Sequence, residues 1–320
     1  MVGEAASRLG AYYEAPPQSI DFDAALSYAR ATNDHNPLYQ ASMVLPPIFA
    51  VVPVWPTFTA AVLDLVPPAA RPALLHAGHE MDFHHQLPLE TPLHSSATLV
   101  AVRSSRMGSW LTLALTTTDG AGASFCDQWA TLFIRGFDAG PSGGVASPGQ
   151  PWGPPIRVDG VAVTDEIDAD QAVRYAEASG DDNPIHVDPA AAIAAGLPGV
   201  ILHGLCSLAV AAKAVVAGAA GRDPRRLSRI RVRFSEPVFP GSDFITSIHD
   251  PGGIGDVVRS LAFEVTSQGR RVIKDGTAEI RPVSPQEGGS QPEAAEPHKV
   301  VLAAEPPLKD VVADAPPLKV

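Results

Sequence analysis

YAEASGDDNPIH, Tyr175 to His186, restates YARATNDHNPLY, Tyr28 to Tyr39, which stands 147 positions earlier (175 less 28). The repeat aligns Asp34 with Asp181, Asn36 with Asn183, Pro37 with Pro184 and Tyr39 with His186. Self-similarity over so long a period means a duplicated structural unit. Further along, LLHAGHEMDFHHQLPLETPL (Leu74 to Leu93) parallels LSRIRVRFSEPVFPGSDF (Leu227 to Phe244), with Phe83 matched to Phe234. The chain therefore reads as two copies of one fold, and its 320 residues suffice for two ordinary domains.

Composition sets the boundaries. Gly, Pro and Ser dominate GFDAGPSGGVASPGQPWGPP, so the first repeat is expected over residues 1–135, a linker over 136–155 and the second repeat over 156–282. Residues 283–320 are rich in Pro, Glu and Ala and are expected to form a disordered tail, its repeated PPLK being low-complexity drift. In the second copy an amphipathic helix is predicted over Asp168–Ala178, an apolar helix over about Leu202–Ala219, and alternating strands over Arg229–Phe234 and Asp256–Val265. One buried helix followed by antiparallel strands is an α+β layout in which a sheet curls around the helix, the hotdog arrangement. The expected fold is a double hotdog.

A net charge of −12 argues against phosphate-backbone binding, so no nucleic-acid partner is expected. Cys126 and Cys206 lie far apart in apolar surroundings, as reduced thiols of a cytoplasmic protein would. No basic start followed by an apolar run marks a secretory signal. The greasy stretch Pro198–Gly221 is interrupted by His203, Ser207 and Lys213, which suits a buried helix and not a membrane span.

The chemistry is concentrated in GDDNPIHVDPAAAIAAGLPGVILHG, Gly180 to Gly204. Asp181 and His186 flank an Asn-Pro corner, so a turn can bring a carboxylate and an imidazole to one water. An imidazole titrating near ~6.5 can take or return a proton at neutral pH. Asn183 can orient that water or brace the loop. Gly204, at the mouth of the apolar helix, offers an outward backbone N–H with no side chain in a ligand's way.

YAEASGDDNPIHVD followed by AAIAAGLPGVILHGLC resembles the signature of the (R)-specific enoyl-CoA hydratases in the MaoC-like dehydratase family, and the resemblance spans roughly residues 15–282. It implies reversible hydration of trans-2-enoyl-CoA to (R)-3-hydroxyacyl-CoA, a hydro-lyase reaction of fatty acid metabolism with no cofactor and no metal. Carried over, Asp181 and His186 are catalytic, Asn183 supports them and Gly204 supplies the oxyanion amide. Two-hotdog members further imply Phe234 beside the acyl-CoA, and a His-Gly pair with a basic residue from the N-terminal copy. His76 with Ala77, and Arg106, are the nearest matches, with alanine where glycine is expected. Tyr39 replaces the histidine in the first copy, and a phenol near pKa ~10 cannot serve as that base. That copy is expected to accommodate substrate without catalysing.

The partner so implied is an acyl-CoA or acyl-carrier thioester, and a homodimer is compatible with it. Arg231 and Arg233 share a strand face with Arg229 and are expected to receive CoA or pantetheine phosphates, a solvated face being the plainer reading. Taken alone, Asp181 would read as an Asx-turn residue and His203 as structural. The histidines at 76, 79, 84 and 85 lack companions for a tetrahedral metal set. Two rivals stand beside the hydratase: a dehydratase of carrier-bound 3-hydroxyacyl chains in fatty-acid, polyketide or steroid side-chain metabolism, and a non-catalytic acyl-thioester binding module.

Overall fold

The computed structural model describes residues 4–42, 44–145, 160–249 and 258–282. The expected tail at 283–320 and the part of the linker after residue 145 lie outside these. The first repeat comprises β1 (Tyr12–Glu14), β2 (Gln18–Ser19), α1 (Phe22–Ala31), α2 (Leu38–Ser42), α3 (Val51–Leu65), β3 (Leu74–Phe83), β4 (Pro92–Ser105), β5 (Gly108–Thr118), β6 (Ser124–Arg135) and β7 (Gly143–Gly144). The second comprises β8 (Val161–Glu166), α4 (Gln171–Ser179), α5 (Pro189–Ala194), α6 (Gly204–Ala219), β9 (Leu227–Phe234), β10 (Asp243–His249), β11 (Arg259–Ser267) and β12 (Arg270–Ile280).

All the strands join one antiparallel sheet in the order β1-β4-β5-β6-β3-β9-β12-β11-β10-β8, with β2 and β7 beside β4. The order reads the same from either end once each strand is exchanged for its repeat counterpart, so a pseudo-twofold axis passes between β3 and β9. Its register is visible in the pairing. Glu80 stands opposite Arg231, the residue 151 positions on (231 less 80), and Phe83 and Phe234 are related by the same spacing. On the helical layer, Tyr28 and Tyr175 meet across the axis with hydroxyls 3.3 Å apart. Both tyrosines are fully buried.

Strand alternation decides what each face carries: β4 and β6 bury every second residue against the helices. The core of the second repeat forms around α6, whose residues from Leu205 to Ala212 are all buried. The charged residue inside this apolar helix is satisfied, because Lys213 donates to Asp165 at 2.6 Å and to the Asn33 carbonyl at 3.2 Å. The first repeat has its own cluster, around Phe58, Ala61 and Leu65 of α3 against β4 and β5. The segment Pro47–Leu65 has the length and apolar content of a membrane span, but 56% of its most apolar window is buried within the protein. Residues 136–145, expected to start the linker, instead pack on the first repeat: Phe137 and Ala139 are buried and β7 pairs with β4.

Candidate functional site

α4 ends where Gly180 adopts a left-handed conformation (φ 79°), its N–H returning to Ala176 O. This turns the chain sharply, so Asp181 follows the helix without continuing it. The loop is then stapled by side chains: Asn183 N–H faces Asp181 Oδ1 at 3.4 Å, and Ile185 N–H faces Asn183 Oδ1 at 3.4 Å. Asn183 thus caps the single turn Pro184–His186. Its carboxamide oxygen braces the loop, the second of the two roles expected for it.

His186 donates from Nδ1 to Ile201 O at 2.8 Å. A carbonyl can only accept, so Nδ1 carries the hydrogen and Nε2 keeps the lone pair in the neutral ring. His203 has the structural role expected of it, donating Nε2–H to the Asp181 carbonyl at 3.0 Å. Its ring lies between His186, stacked at 3.8 Å, and Tyr175, at 4.8 Å. Ligating atoms of Asp181, His186 and His203 fall within 4.8 Å of one another. This set could approach a cation, though His186 Nδ1 and His203 Nε2 are already committed to carbonyls.

Burial moves the two candidate groups in opposite senses. Loss of water pushes the Asp181 carboxyl up to about 6, against the bond from Asn183 N–H that opposes the rise. The same loss pushes His186 down to about 4, only partly offset by its bond to Ile201. Near neutrality the histidine is an uncharged acceptor, and the aspartate titrates closest to the working range.

Gly204 begins α6, where the first N–H groups have no intrahelical acceptor and the helix dipole is positive. A side chain there would point at Phe234, whose ring stands 3.4 Å from the position of a Cβ. Phe234 meets His76 edge to face at 5.4 Å. His76 reaches this inner face because the β3–β6 register slips between His76 and Gly78, leaving Ala77 as an extra residue in the strand. The His76 ring then bonds His79 at 3.2 Å, and His79 bonds Gln128 at 3.0 Å. Gln128 in turn donates to Ala50 O. His79 and Gln128 anchor this wall and were not among the expected site residues; a buried Gln in a strand pattern was the available signal. Arg106 lies in the exposed β4–β5 turn, and register places that turn at the same end of the sheet as His76, across β6.

Arg231 and Arg233 do not join them. Ile230 and Val232 of β9 face the core, so the arginines between and beside them face outward, away from α6. Arg231 pairs with Glu80 at 3.4 Å and Arg233 with Asp275 at 2.7 Å. In the structure both arginines bridge between strands on that outer face.

The first repeat lacks the matching chemistry. Tyr39 Oη donates to Asp34 Oδ2 at 2.5 Å, so the phenol occupies the carboxylate. Burial holds that carboxyl above its usual range. Where His203 and Gly204 open α6, Pro46 and Pro47 open the turn leading into α3, and proline has no N–H to offer. Ile48 and Phe49, which follow these prolines, are core residues, with Phe49 against Tyr28.

Sequence comparison matches residues 150–268 to the MaoC-like domain and residues 34–136 to the MFE-2 hydratase 2 N-terminal domain. The chain is 33% identical over 243 residues to 3-hydroxyacyl-thioester dehydratase Y of Mycobacterium tuberculosis, covering 73% of this chain and 80% of that one. It is 29% identical over 216 residues to the probable enoyl-CoA hydratase 2 of Dictyostelium discoideum, covering 66% and 71%. With the peroxisomal enoyl-CoA hydratase 2 of Arabidopsis thaliana it shares 31% over 189 residues, 55% of this chain and 59% of that protein. Among solved structures, a MaoC-like dehydratase from Phytophthora capsici superposes with a TM-score of 0.74 at 23% identity, over 87% of this chain and 99% of that one. A Mycobacterium tuberculosis protein described as a double hotdog aligns with a TM-score of 0.59 at 13% identity, over 85% and 96%. These two likenesses establish the fold.

Proposed function

Because the chain belongs to the MaoC-like dehydratase family, we propose that its second repeat reversibly hydrates trans-2-enoyl-CoA thioesters to (R)-3-hydroxyacyl-CoA, with Asp181 and His186 as the acid–base pair. The observation that carries the assignment of residues is the convergence of Asp181, His186 and His203, whose ligating atoms lie within 4.8 Å of one another, with Gly204 opening the next helix. We assign the chemistry to residues 156–282 and substrate accommodation to 1–135.

In the hydration direction Asp181 and His186 Nε2 hold one water. Its oxygen bonds to C3 while a proton passes to the Asp181 carboxylate, and the electron pair of the double bond shifts toward the thioester oxygen. Gly204 N–H, at the positive end of α6, stabilises the charge that develops there. The proton then goes to C2 on the same face, which restores the carboxylate and leaves one molecule of water added. Phe234 packs on Gly204 and closes the site from the side of β9. No step requires a cofactor. The reverse reaction on a carrier-bound 3-hydroxyacyl chain would use the same groups, a reading supported by the relative named as a thioester dehydratase.

Loss of enoyl absorbance on adding crotonyl-CoA and longer enoyl-CoAs, with chiral analysis of the product, tests the reaction. Asp181→Asn and His186→Ala are each expected to lower turnover by at least about a hundredfold, the scale of a removed acid or base. Asp34→Asn is expected to change it little. Equal losses at Asp34 and Asp181 would refute a single active repeat. A homodimer of such chains would use a surface other than β3–β9, which is occupied within the chain; light scattering reads one chain mass or two. Our placement in the cytoplasm is tested by microscopy of a tagged chain, since several relatives are named as peroxisomal.

A further inference from the structure

A chain of buried polar groups runs from the first repeat to the site of the second, and the acid–base chemistry at Asp181 makes no direct use of it. Gln128 of β6 donates from Nε2 to Ala50 O at 2.8 Å, at the start of α3. Its Oε1 lies 3.0 Å from His79 Nε2, and His79 Nδ1 lies 3.2 Å from His76 Nε2. Gln128 is 0% exposed and His79 3%. The His76 ring ends the chain, stacked on Phe58 at 6.1 Å and edge to face with Phe234 at 5.4 Å. Phe234 in turn lies where a side chain on Gly204 would go.

Each hydrogen along the chain is dictated by the group beyond it. The Ala50 carbonyl can only accept, which orients the Gln128 amide with Oε1 toward His79. Burial pushes both rings below the usual histidine range, so each is neutral and carries one hydrogen. His79 therefore donates from Nε2 to Gln128 and keeps Nδ1 as an acceptor, which His76 fills from its own Nε2. The fold itself does not demand polar groups here. By the spacing that relates Glu80 to Arg231, His79 corresponds to Ile230, which is apolar and fully buried. Burying a histidine and a glutamine is costly unless every link is made, and it is done only in the repeat without the reacting groups. The chain ends on the wall of the repeat that has them.

We infer that Gln128 and His79 are positioning residues for the reaction of the second repeat: through His76 they fix the Phe234 ring, and with it the approach to the Gly204 N–H. Neither needs to touch the ligand. A His76 ring tied at Nε2 cannot turn without breaking that bond, and Phe234 packs on its edge. A released Phe234 would tilt over Gly204 or away from it, and a small misplacement of this kind lowers a rate without removing any reacting group. The inference rests on the proposed function for the reaction and goes beyond it in naming residues that act at a distance from Asp181 and His186.

Nitrogen-15 spectra of the full chain labelled in histidine read the tautomers directly. Both His76 and His79 are expected to carry their hydrogen on Nε2, with His76→Phe and His79→Phe assigning the signals; a hydrogen on Nδ1 of either ring overturns the relay. The positioning role is read by a cycle with Phe234→Leu. Gln128→Met is expected to lower kcat on crotonyl-CoA about tenfold when Phe234 is present and by less than about twofold once it is leucine, while its loss of denaturation midpoint is the same in both backgrounds. Equal fold losses of kcat in the two backgrounds, or none in either, overturn the inference, because a merely structural Gln128 acts without regard to Phe234. Gln128→Asn keeps the amide but is a methylene short of spanning Ala50 and His79, and takes the same cycle if Gln128→Met fails to fold. A wild type that does not hydrate crotonyl-CoA overturns the proposed function and this role with it, whereas an active wild type without the coupling overturns this role alone.

Discussion

The carboxyl of Asp181 is raised from 3.8 to about 6 by burial, so the folded protein binds that proton more tightly than the unfolded chain does. A gap of about two pH units corresponds to about 3 kcal/mol. The sign follows: above pH 6 the folded state carries a charge it disfavours and loses stability, and below about pH 4 the penalty is gone. Asp181→Asn is therefore expected to raise the unfolding free energy at pH 8 by up to about 3 kcal/mol and to leave it nearly unchanged at pH 4, as denaturant titration at the two pH values would report. The same substitution removes the group that takes the proton from water. Hydration by the wild type should accordingly rise with pH through an apparent pKa near 6. His186 works in the opposite sense, since a ring lowered to about 4 resists protonation in the fold and destabilises it as pH falls below 6.5. A stabilised but inactive Asp181→Asn protein would show that the site trades stability for chemistry; an inactive and less stable one would assign Asp181 a structural role.

At the scale of single elements, the start of α6 is the most exacting. Gly204 has room for a methyl, since a Cβ would meet the Phe234 ring at 3.4 Å, and alanine suits a helix better than glycine. Gly204→Ala is expected to melt no earlier than the wild type, yet to lose about tenfold or more in hydration rate because the methyl stands where the thioester oxygen must approach; melting by circular dichroism and kcat on crotonyl-CoA check the two halves of that statement. Much of this was readable in the sequence. Periodicity over Asp168–Ala178 and Leu202–Ala219 located α4 and α6 within three residues at each end, because both helices have one strongly apolar face or are apolar throughout. Strand alternation also placed Arg231 and Arg233 on one face of β9. With Phe234 over Gly204, residues 231 and 233 lie on the other face of β9. What no pattern announced is the slip at Ala77 that turns His76 inward, since a bulge depends on pairing between strands distant in sequence.

At the scale of the molecule, the axis between β3 and β9 explains why two unlike repeats pair with each other. A strand meeting its own copy across a twofold axis places the axial residue against itself. Here Glu80 and Arg231 are counterparts by position and face each other, so what would be a like pair in a symmetric dimer is an opposite pair. Asp82 and Glu279 add to the match by bonding Arg229 from both sides. A β3–β3 pairing would set Glu80 against Glu80, and a β9–β9 pairing would set three arginines against three; both are repulsive, which leaves the β3–β9 pairing favoured. Glu80 is only 2% exposed, so removing its partner's charge strands it in a poorly solvated place, at a cost of about 3–5 kcal/mol. Glu80→Arg should be destabilised on that scale, with loss of hydration activity because Phe234 and His76 meet across the same seam. The exchange Glu80→Arg with Arg231→Glu restores an opposite pair at the axis and should recover most of both. A double-mutant cycle in denaturant, read beside crotonyl-CoA turnover, measures the coupling. Additive losses in the double variant would show that the seam is held by backbone pairing and apolar contact alone, with the charges contributing nothing to the choice of partner.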